Sequence, residues 1–313
     1  MKKQDCQQKV LEVIKIRLTN ECNLRCYYCQ SWDTPPLSLS VRNAYTISKQ
    51  IFKTCVNNIL LTGGEPLANK EIFEIIALFA NLNIPISMCS NGFSDKIYNQ
   101  IIMNNVDELY ISLWGIKPQT HNYLRGIESF DKVVNNLSNI NKNDCKHPDV
   151  VLFMTVTPEN LMELPFLPKF AADLHCKRIA IQPVDIRQNT FDLQNSRVNW
   201  ENTSLNDLDQ SFKKFIDQCL KVNIITPTEN EIAFVRNYIT NCISSKNINL
   251  TSCNAPYKSI VVEPDLSCRA CYFTKIEGLI NYHSSLSNIH SNIISRWNKR
   301  NKACYGCICP KIY

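Results

Sequence analysis

Short apolar segments alternate with amphipathic ones through the first 190 residues, and this repeat restricts the fold more than any other feature. Residues 10–19 alternate apolar and charged side chains, as a half-buried strand does. Residues 41–53 have helical spacing, and the apolar run 58–62 ends at Gly63-Gly64. Helical spacing returns over 70–81, with Ile72, Phe73, Ile75, Ile76 and Phe79. Further strands read at 84–89, 108–113, 150–156 and 178–183, and helices at 96–104, 130–141 and 164–174 lie between them. Alternation at this pitch predicts an α/β fold with a parallel sheet and right-handed crossovers. Six units fall short of a closed eight-stranded barrel, so a partial (β/α)6 TIM-like barrel is expected. In such folds the working residues sit at the carboxyl ends of the strands.

Composition narrows the rest. Of 313 residues, 44% are hydrophobic and 20% charged, so the chain packs rather than stays disordered. The net charge of +6 is mild and scattered, which gives no sign of nucleic acid as a partner. No apolar run approaches the roughly 20 residues of a membrane span. The first six residues lack the apolar region of a signal peptide, so a reducing cytoplasm is the expected location. In that compartment the 16 cysteines read first as metal or redox ligands, because disulfides are disfavoured. Glycine numbers only seven, and Gly63, Gly64, Gly92, Gly115 and Gly126 all fall at expected strand ends or turns.

The organisation expected is threefold. Residues 1–190 form the barrel. Residues 191–250, polar and rich in Asn, form a helical connector with helices near 205–222 and 229–243. Residues 251–313 hold six cysteines from Cys253 onward. A unit of about 60 residues has little core of its own and calls for a metal staple.

The chemistry concentrates behind the first strand, in Cys22-Asn23-Leu24-Arg25-Cys26-Tyr27-Tyr28-Cys29. Three thiolates spaced C-x3-C-x2-C can hold three irons of a cubane and leave the fourth open to a non-protein ligand. A structural zinc wants four ligands, and no His lies nearby to supply one.

This loop resembles the signature of the radical S-adenosylmethionine (SAM) family, including the aromatic before the last cysteine, Tyr28. The resemblance covers about residues 10–185. Leu61-Thr62-Gly63-Gly64-Glu65-Pro66 resembles the family's GGE motif. Ser90-Asn91-Gly92 resembles its third-strand turn, and Ser112-Leu113-Trp114-Gly115 its fourth-strand SxxG element. His121 to Gly126 resembles the H-x3-R-G segment that follows. The resemblance implies a [4Fe-4S] cluster on Cys22, Cys26 and Cys29, with SAM chelated to the open iron. It implies reductive cleavage of SAM to a 5′-deoxyadenosyl radical that takes a hydrogen atom from a substrate carbon. It further implies that Gly63 and Gly64 let the backbone approach the SAM methionine, with Glu65 steadying that turn. Arg125 and Ser112 would meet the SAM carboxylate, Tyr28 the adenine, and Ser90 and Asn91 the ribose or methionine.

The segment from Cys253 to residue 273 resembles the opening of a SPASM/Twitch domain, an auxiliary-cluster extension of that family. Pro264-Asp265 matches its hairpin turn, with Leu266 where glycine is usual, a position strained if φ is positive. Cys304-x2-Cys307 matches the closing pair. The resemblance implies a small cysteine-rich iron–sulfur domain with one auxiliary [4Fe-4S] cluster on Cys253, Cys271, Cys304 and Cys307. The same four cysteines also suit a zinc ribbon. Cys268 and Cys309 flank ligand positions and are candidates for a hydrogen-atom donor.

Three function classes follow. One is an oxidoreductase-type enzyme that modifies a peptide by epimerisation, oxidation or cross-linking, as in ribosomal peptide maturation. Only 21 residues precede Cys22, so a fused leader-binding domain is not expected. Another is a dehydrogenase or epimerase of a small polar metabolite such as an aminocyclitol or sugar. The third is an electron carrier or zinc-stabilised binding module, which has no need of the GGE and SxxG turns. An external low-potential reductant of the flavodoxin or ferredoxin type is the expected partner of either enzyme.

Overall fold

The computed structural model describes residues 11–29, 34–141, 148–185, 198–244, 249–250, 255–272, 274–281, 284–299 and 304–305. Six parallel strands run in chain order through one sheet: β1 (Leu11–Arg17), β2 (Val56–Thr62), β3 (Ile86–Ser90), β4 (Glu108–Leu113), β5 (Asp149–Val156) and β6 (Arg178–Pro183). Each crossover carries helix, as the alternation predicts. These are α1 (Val41–Phe52), α2 (Ile72–Ala80), α3 (Gln100–Asn105), α4 (Pro118–Arg125), α5 (Phe130–Asn141) and α6 (Leu167–Asp173). The α/β partial-barrel expectation holds.

Local chemistry sets the helix limits. Ser40 caps α1 by accepting from Asn43 N. The helix expected at 96–104 is two pieces, a 3-10 turn at Asp95–Tyr98 and then α3, because Asn99 caps a new start. The stretch 164–174 also begins as a 3-10 turn, Leu161–Phe166, with Pro165 inside it. After β6 come α7 (Leu205–Cys219) and α8 (Glu229–Ile243), the latter closed by a Thr228–Glu231 capping box.

Strand periodicity separates two faces. Ile14, Ile16, Ile59, Leu61, Leu109 and Ile111 turn outward into the helix-packed core. The inner face is mixed. Cys89 pairs with Tyr110, Tyr110 with Val151, and Val151 with Arg178, so these side chains share one layer. Near the N-terminal ends of the strands, Glu108 accepts from Tyr110 OH at 3.1 Å and from Ser87 Oγ at 3.4 Å, and pairs with Arg178 at 3.6 Å.

The sheet continues past β1 with chain from the far end. After the short β7 (Asn249–Leu250) and α9 (Ala255–Lys258), β8 (Ser259–Val262) pairs in parallel with β1. The antiparallel β9 (Ser267–Arg269) and β10 (Ile276–Leu279) complete a nine-stranded sheet. The sheet thus runs across the expected division at residue 251. A buried ion pair crosses the same seam, Arg17 Nη1 to Glu263 Oε2 at 3.1 Å. The β8–β9 turn places Leu266 at φ +71°, the strained geometry anticipated for a non-glycine there. Helix α10 (Leu286–Lys299) and β11 (Cys304–Tyr305), which pairs with β7, follow. No described helix is long and apolar enough to cross a membrane.

Candidate functional site

The carboxyl ends of β1 to β4 converge on the Cys22–Cys29 loop, and two glycines make this possible. Gly63 has φ +148°, and a Cβ on it would lie 2.3 Å from Thr19 O. A Cβ on Gly64 would lie 2.3 Å from Glu21 O and 2.7 Å from Asn20 O. The space a side chain would need is filled by the backbone that leads into Cys22. Two hydrogen bonds close the contact, Gly64 N to Thr19 O at 2.7 Å and Glu65 N to Glu21 O at 2.8 Å. The sequence suggested glycines that admit a ligand, and the neighbour they admit here is the chain's own 19–21 segment.

Glu65 is buried and ties two strand ends together. Its Oε1 accepts from Ser90 Oγ at 3.0 Å and Leu67 N at 3.1 Å, and its Oε2 from Asn91 N at 2.7 Å. Burial pushes its carboxyl pKa up against these donors. Asn91 then reaches the cysteine loop, with Nδ2 2.7 Å from Asn23 Oδ1 and 3.9 Å from Cys22 Sγ. Ser90 and Asn91 are thus brought to the site, Ser90 as a support and Asn91 as a contact.

The loop itself is docked on α4. Tyr27 N donates to Leu124 O at 2.8 Å, and Arg25 folds back on Cys22 O and Leu24 O. Cys22, Cys26 and Cys29 form no disulfide. Cys22 senses both others electrostatically, and burial pushes it up to about 11. Burial also raises Cys26, opposed by the adjacent Arg125 guanidinium. Among the described residues no three His, Cys, Asp or Glu side chains crowd around one point as the ligands of a single ion do. A cubane has a different demand, with each thiolate on its own iron.

Arg125 closes the site from α4. It is 3% exposed. Its Nη1 donates to Cys26 Sγ at 3.5 Å, and its Nη2 donates to Ser112 O. Its Nε is buried without a partner. No described carboxylate pairs with it. Ser112 is half-buried on β4, with its carbonyl turned to Arg125. His121, one turn before Arg125, accepts from Trp114 N at 3.3 Å. Burial, followed by the Arg125 charge, lowers its pKa to about 3, so it stays neutral.

Aromatic rings wall one side. Tyr28 lies nearly parallel to Trp114, with centroids 6.3 Å apart, and the Arg125 guanidinium is 5.9 Å from the Trp114 ring. Tyr28 OH donates to Glu159 Oε1 at 2.7 Å. Asn160 holds Trp114 O at 2.9 Å, so the Trp114 backbone is fixed at both polar atoms. Trp114 was quoted in the sequence only as part of the SxxG element, and Glu159 and Asn160 went unremarked, because a lone Asn or Glu after a strand carries no pattern.

The C-terminal candidates separate. Cys271 is half-buried in a turn where Thr274 Oγ1 donates to Cys271 O at 3.0 Å and accepts from Cys271 N at 3.2 Å. Cys268 is fully buried in the helix-packed core, away from the barrel interior. Cys253, Cys307 and Cys309 lie outside the described residues, and of Cys304 only the backbone, in β11, is described.

Residues 16–170 match the family model of the radical SAM superfamily, and this segment is a radical SAM domain. Within that class, the chain is similar to the "Probable GTP 3′,8-cyclase" of Saccharolobus solfataricus, at 30% identity over 128 residues, 40% of this chain and 42% of that protein. It is similar to the protein of that name from Sulfurisphaera tokodaii at 25% over 191 residues, 58% of this chain and 60% of the relative. The chain thus spans about half the length of these curated relatives. Among solved structures it resembles Streptococcus suis SuiB bound to S-adenosylmethionine, with TM-score 0.70 and 14% identity over 90% of this chain and 65% of that one. It also resembles anSMEcpe with bound AdoMet and a Cp18Cys peptide, with TM-score 0.65 and 18% identity over 89% of this chain and 80% of that one. At these identities the two structures speak for the fold.

Proposed function

We propose that this chain is a radical SAM enzyme whose Cys22, Cys26 and Cys29 hold a [4Fe-4S] cluster with one iron open to SAM. The observation that carries the reading is the buried Arg125. A guanidinium remains charged in proteins, and a buried cation needs a counter-anion. Among the described residues the buried Glu65 senses this charge but forms no ion pair with it, while Cys26 Sγ lies 3.5 Å from Arg125 Nη1. A thiolate-ligated cluster would supply the counter-anion, so the donor set fits the group. When bound, the cluster and SAM supply a 5′-deoxyadenosyl radical that removes a hydrogen atom from a substrate carbon.

The chain's own residues bind and orient. Gly63, Gly64 and Glu65 fix the turn proposed to face the SAM methionine. Ser112 and the unpartnered Arg125 Nε are the donors proposed for its carboxylate. Asn91 and Ser90 border the ribose or methionine, and Tyr28, backed by Trp114, borders the adenine and excludes water. Cys253, Cys271, Cys304 and Cys307 are proposed to hold one auxiliary [4Fe-4S] cluster. A flavodoxin- or ferredoxin-type protein is the proposed reductant, acting in the cytoplasm.

A peptide is the proposed substrate, altered by epimerisation, oxidation or cross-linking. The likeness to SuiB, solved with precursor peptide SuiA, and to anSMEcpe with peptides supports this, because it covers about nine-tenths of the chain. A second reading, a small polar metabolite such as a sugar, aminocyclitol or nucleotide, is favoured by the relatives named GTP 3′,8-cyclase. Neither reading changes the first chemical event. Anaerobic incubation with dithionite and SAM should yield 5′-deoxyadenosine with the wild-type chain and none with Cys26→Ala. Equal yields from both would overturn the proposal. Deuterium carried into 5′-deoxyadenosine from a labelled peptide, or instead from labelled GTP, separates the two substrate classes.

A further inference from the structure

We infer that Arg125 sets the reduction potential of the proposed cluster through a charged hydrogen bond to the Cys26 sulfur, a role separate from gripping SAM. The inference rests on the cluster reading above and adds a task for one side chain.

The geometry is specific. Arg125 Nη1 lies 3.5 Å from Cys26 Sγ, a normal separation for N–H donation to sulfur. The neighbouring Nη2 is spent on Ser112 O, which locks the plane of the guanidinium. Gly126, at φ +76°, ends α4 immediately after Arg125, and its missing side chain leaves room for Arg25 O of the cysteine loop. Helix and loop are therefore pinned together, and the Nη2 bond to Ser112 O holds the guanidinium at its 3.5 Å contact with Cys26. Cys22 Sγ takes Leu24 N at 3.4 Å and Asn91 Nδ2 at 3.9 Å. Those donors are neutral. Arg125 instead brings a full charge to Cys26.

The consequence follows from electrostatics. Reduction adds one negative charge to the cluster, and a fixed positive charge in a buried setting favours the reduced form. Hydrogen bonds to cluster sulfurs act in the same direction. His121, the other titratable side chain on this face of α4, stays neutral and does not compete. The carboxylate that senses Arg125, Glu65, is already held by Ser90, Asn91 and Leu67. Arg125 therefore acts chiefly on Cys26.

The test is a potentiometric titration of the full chain, reconstituted without oxygen and monitored by electron paramagnetic resonance. The signal that changes when SAM is added identifies the cluster of the three-cysteine loop. Its midpoint is then measured without SAM, so a residue serving only the SAM carboxylate leaves it unmoved. Arg125→Gln should lower the reduced-to-oxidised ratio at the wild-type midpoint at least tenfold, about 59 mV for a one-electron couple. Arg125→Lys keeps the charge but loses the fork, and its midpoint should lie between the two. If Arg125→Gln takes up no iron, Arg125→Lys alone decides. An unchanged midpoint in the variant that loads overturns the inference. Absence of any SAM-responsive cluster in the wild type overturns the cluster reading instead.

Discussion

Gly64→Ala isolates the contact on which the site is built. The backbone φ of Gly64 is not in the left-handed region, so the effect is steric. The added methyl would lie 2.3 Å from Glu21 O, 2.7 Å from Asn20 O and 2.8 Å from Glu21 C. All three are backbone atoms, so no side chain can rotate away. Relief requires the 20–21 segment to retreat, which breaks Glu65 N to Glu21 O and strains Gly64 N to Thr19 O. Two such hydrogen bonds are worth about 1–3 kcal/mol together. Overpacking a tight contact adds roughly 1–3 kcal/mol. The expected loss is therefore about 2–6 kcal/mol, read by guanidinium unfolding of the metal-free chain. Gly278→Ala is the comparison, because its methyl meets only the Ile289 side chain at 2.8 Å, which can shift. Its loss should stay near 1 kcal/mol, below that of Gly64→Ala. Because residues 20–21 lead into Cys22, Gly64→Ala should also bind less iron. A Gly64→Ala chain that matches Gly278→Ala in stability and the wild type in iron would refute the clamp.

Three single side chains give further outcomes. His121, depressed from 6.5 to about 3, contributes stability that is full above pH 6.5 and lost as pH falls toward 3, because the unfolded chain takes up a proton the folded one refuses. His121→Gln should flatten this loss by about 1.4 kcal/mol per pH unit below pH 6, seen in unfolding free energies between pH 6 and pH 4. Glu163 accepts from Ile116 N at 2.7 Å, Lys117 N at 3.2 Å and Thr120 Oγ1 at 2.5 Å. Glu163→Ala strands these donors and should cost roughly 2–5 kcal/mol by the same unfolding assay. Cys271→Ala should remove about four irons per chain, one cubane, and leave the SAM-responsive cluster in place, as iron analysis with electron paramagnetic resonance can show.

The barrel was legible because its signals are local. The short apolar run at 58–62 and the strands read at 108–113 and 178–183 became β2, β4 and β6, and helical spacing at 41–53 and the helix read at 130–141 became α1 and α5. Glu65 was expected to steady its turn, and its side chain does so through Ser90, Asn91 and Leu67. What escaped is long-range. Nothing in Ser259–Val262 announces that it pairs with a strand some 246 residues earlier, since strand partners are chosen by burial and closure rather than by neighbours. Asn160 and Glu163 hold the Trp114–Thr120 turn from across the sheet, and isolated polar residues carry no spacing to read. Gly63 and Gly64 were recognised as special, but which backbone they admit is a property of the assembled loop.

The central claim is that three thiols on one loop hold an iron–sulfur cubane. Iron and zinc per chain, measured in the anaerobically reconstituted wild type and in Cys22/Cys26/Cys29→Ala, test it most directly. The account predicts that the triple variant loses about four irons per chain relative to the wild type and that neither binds zinc. Equal iron in the two chains, or zinc in place of iron in the wild type, would contradict it.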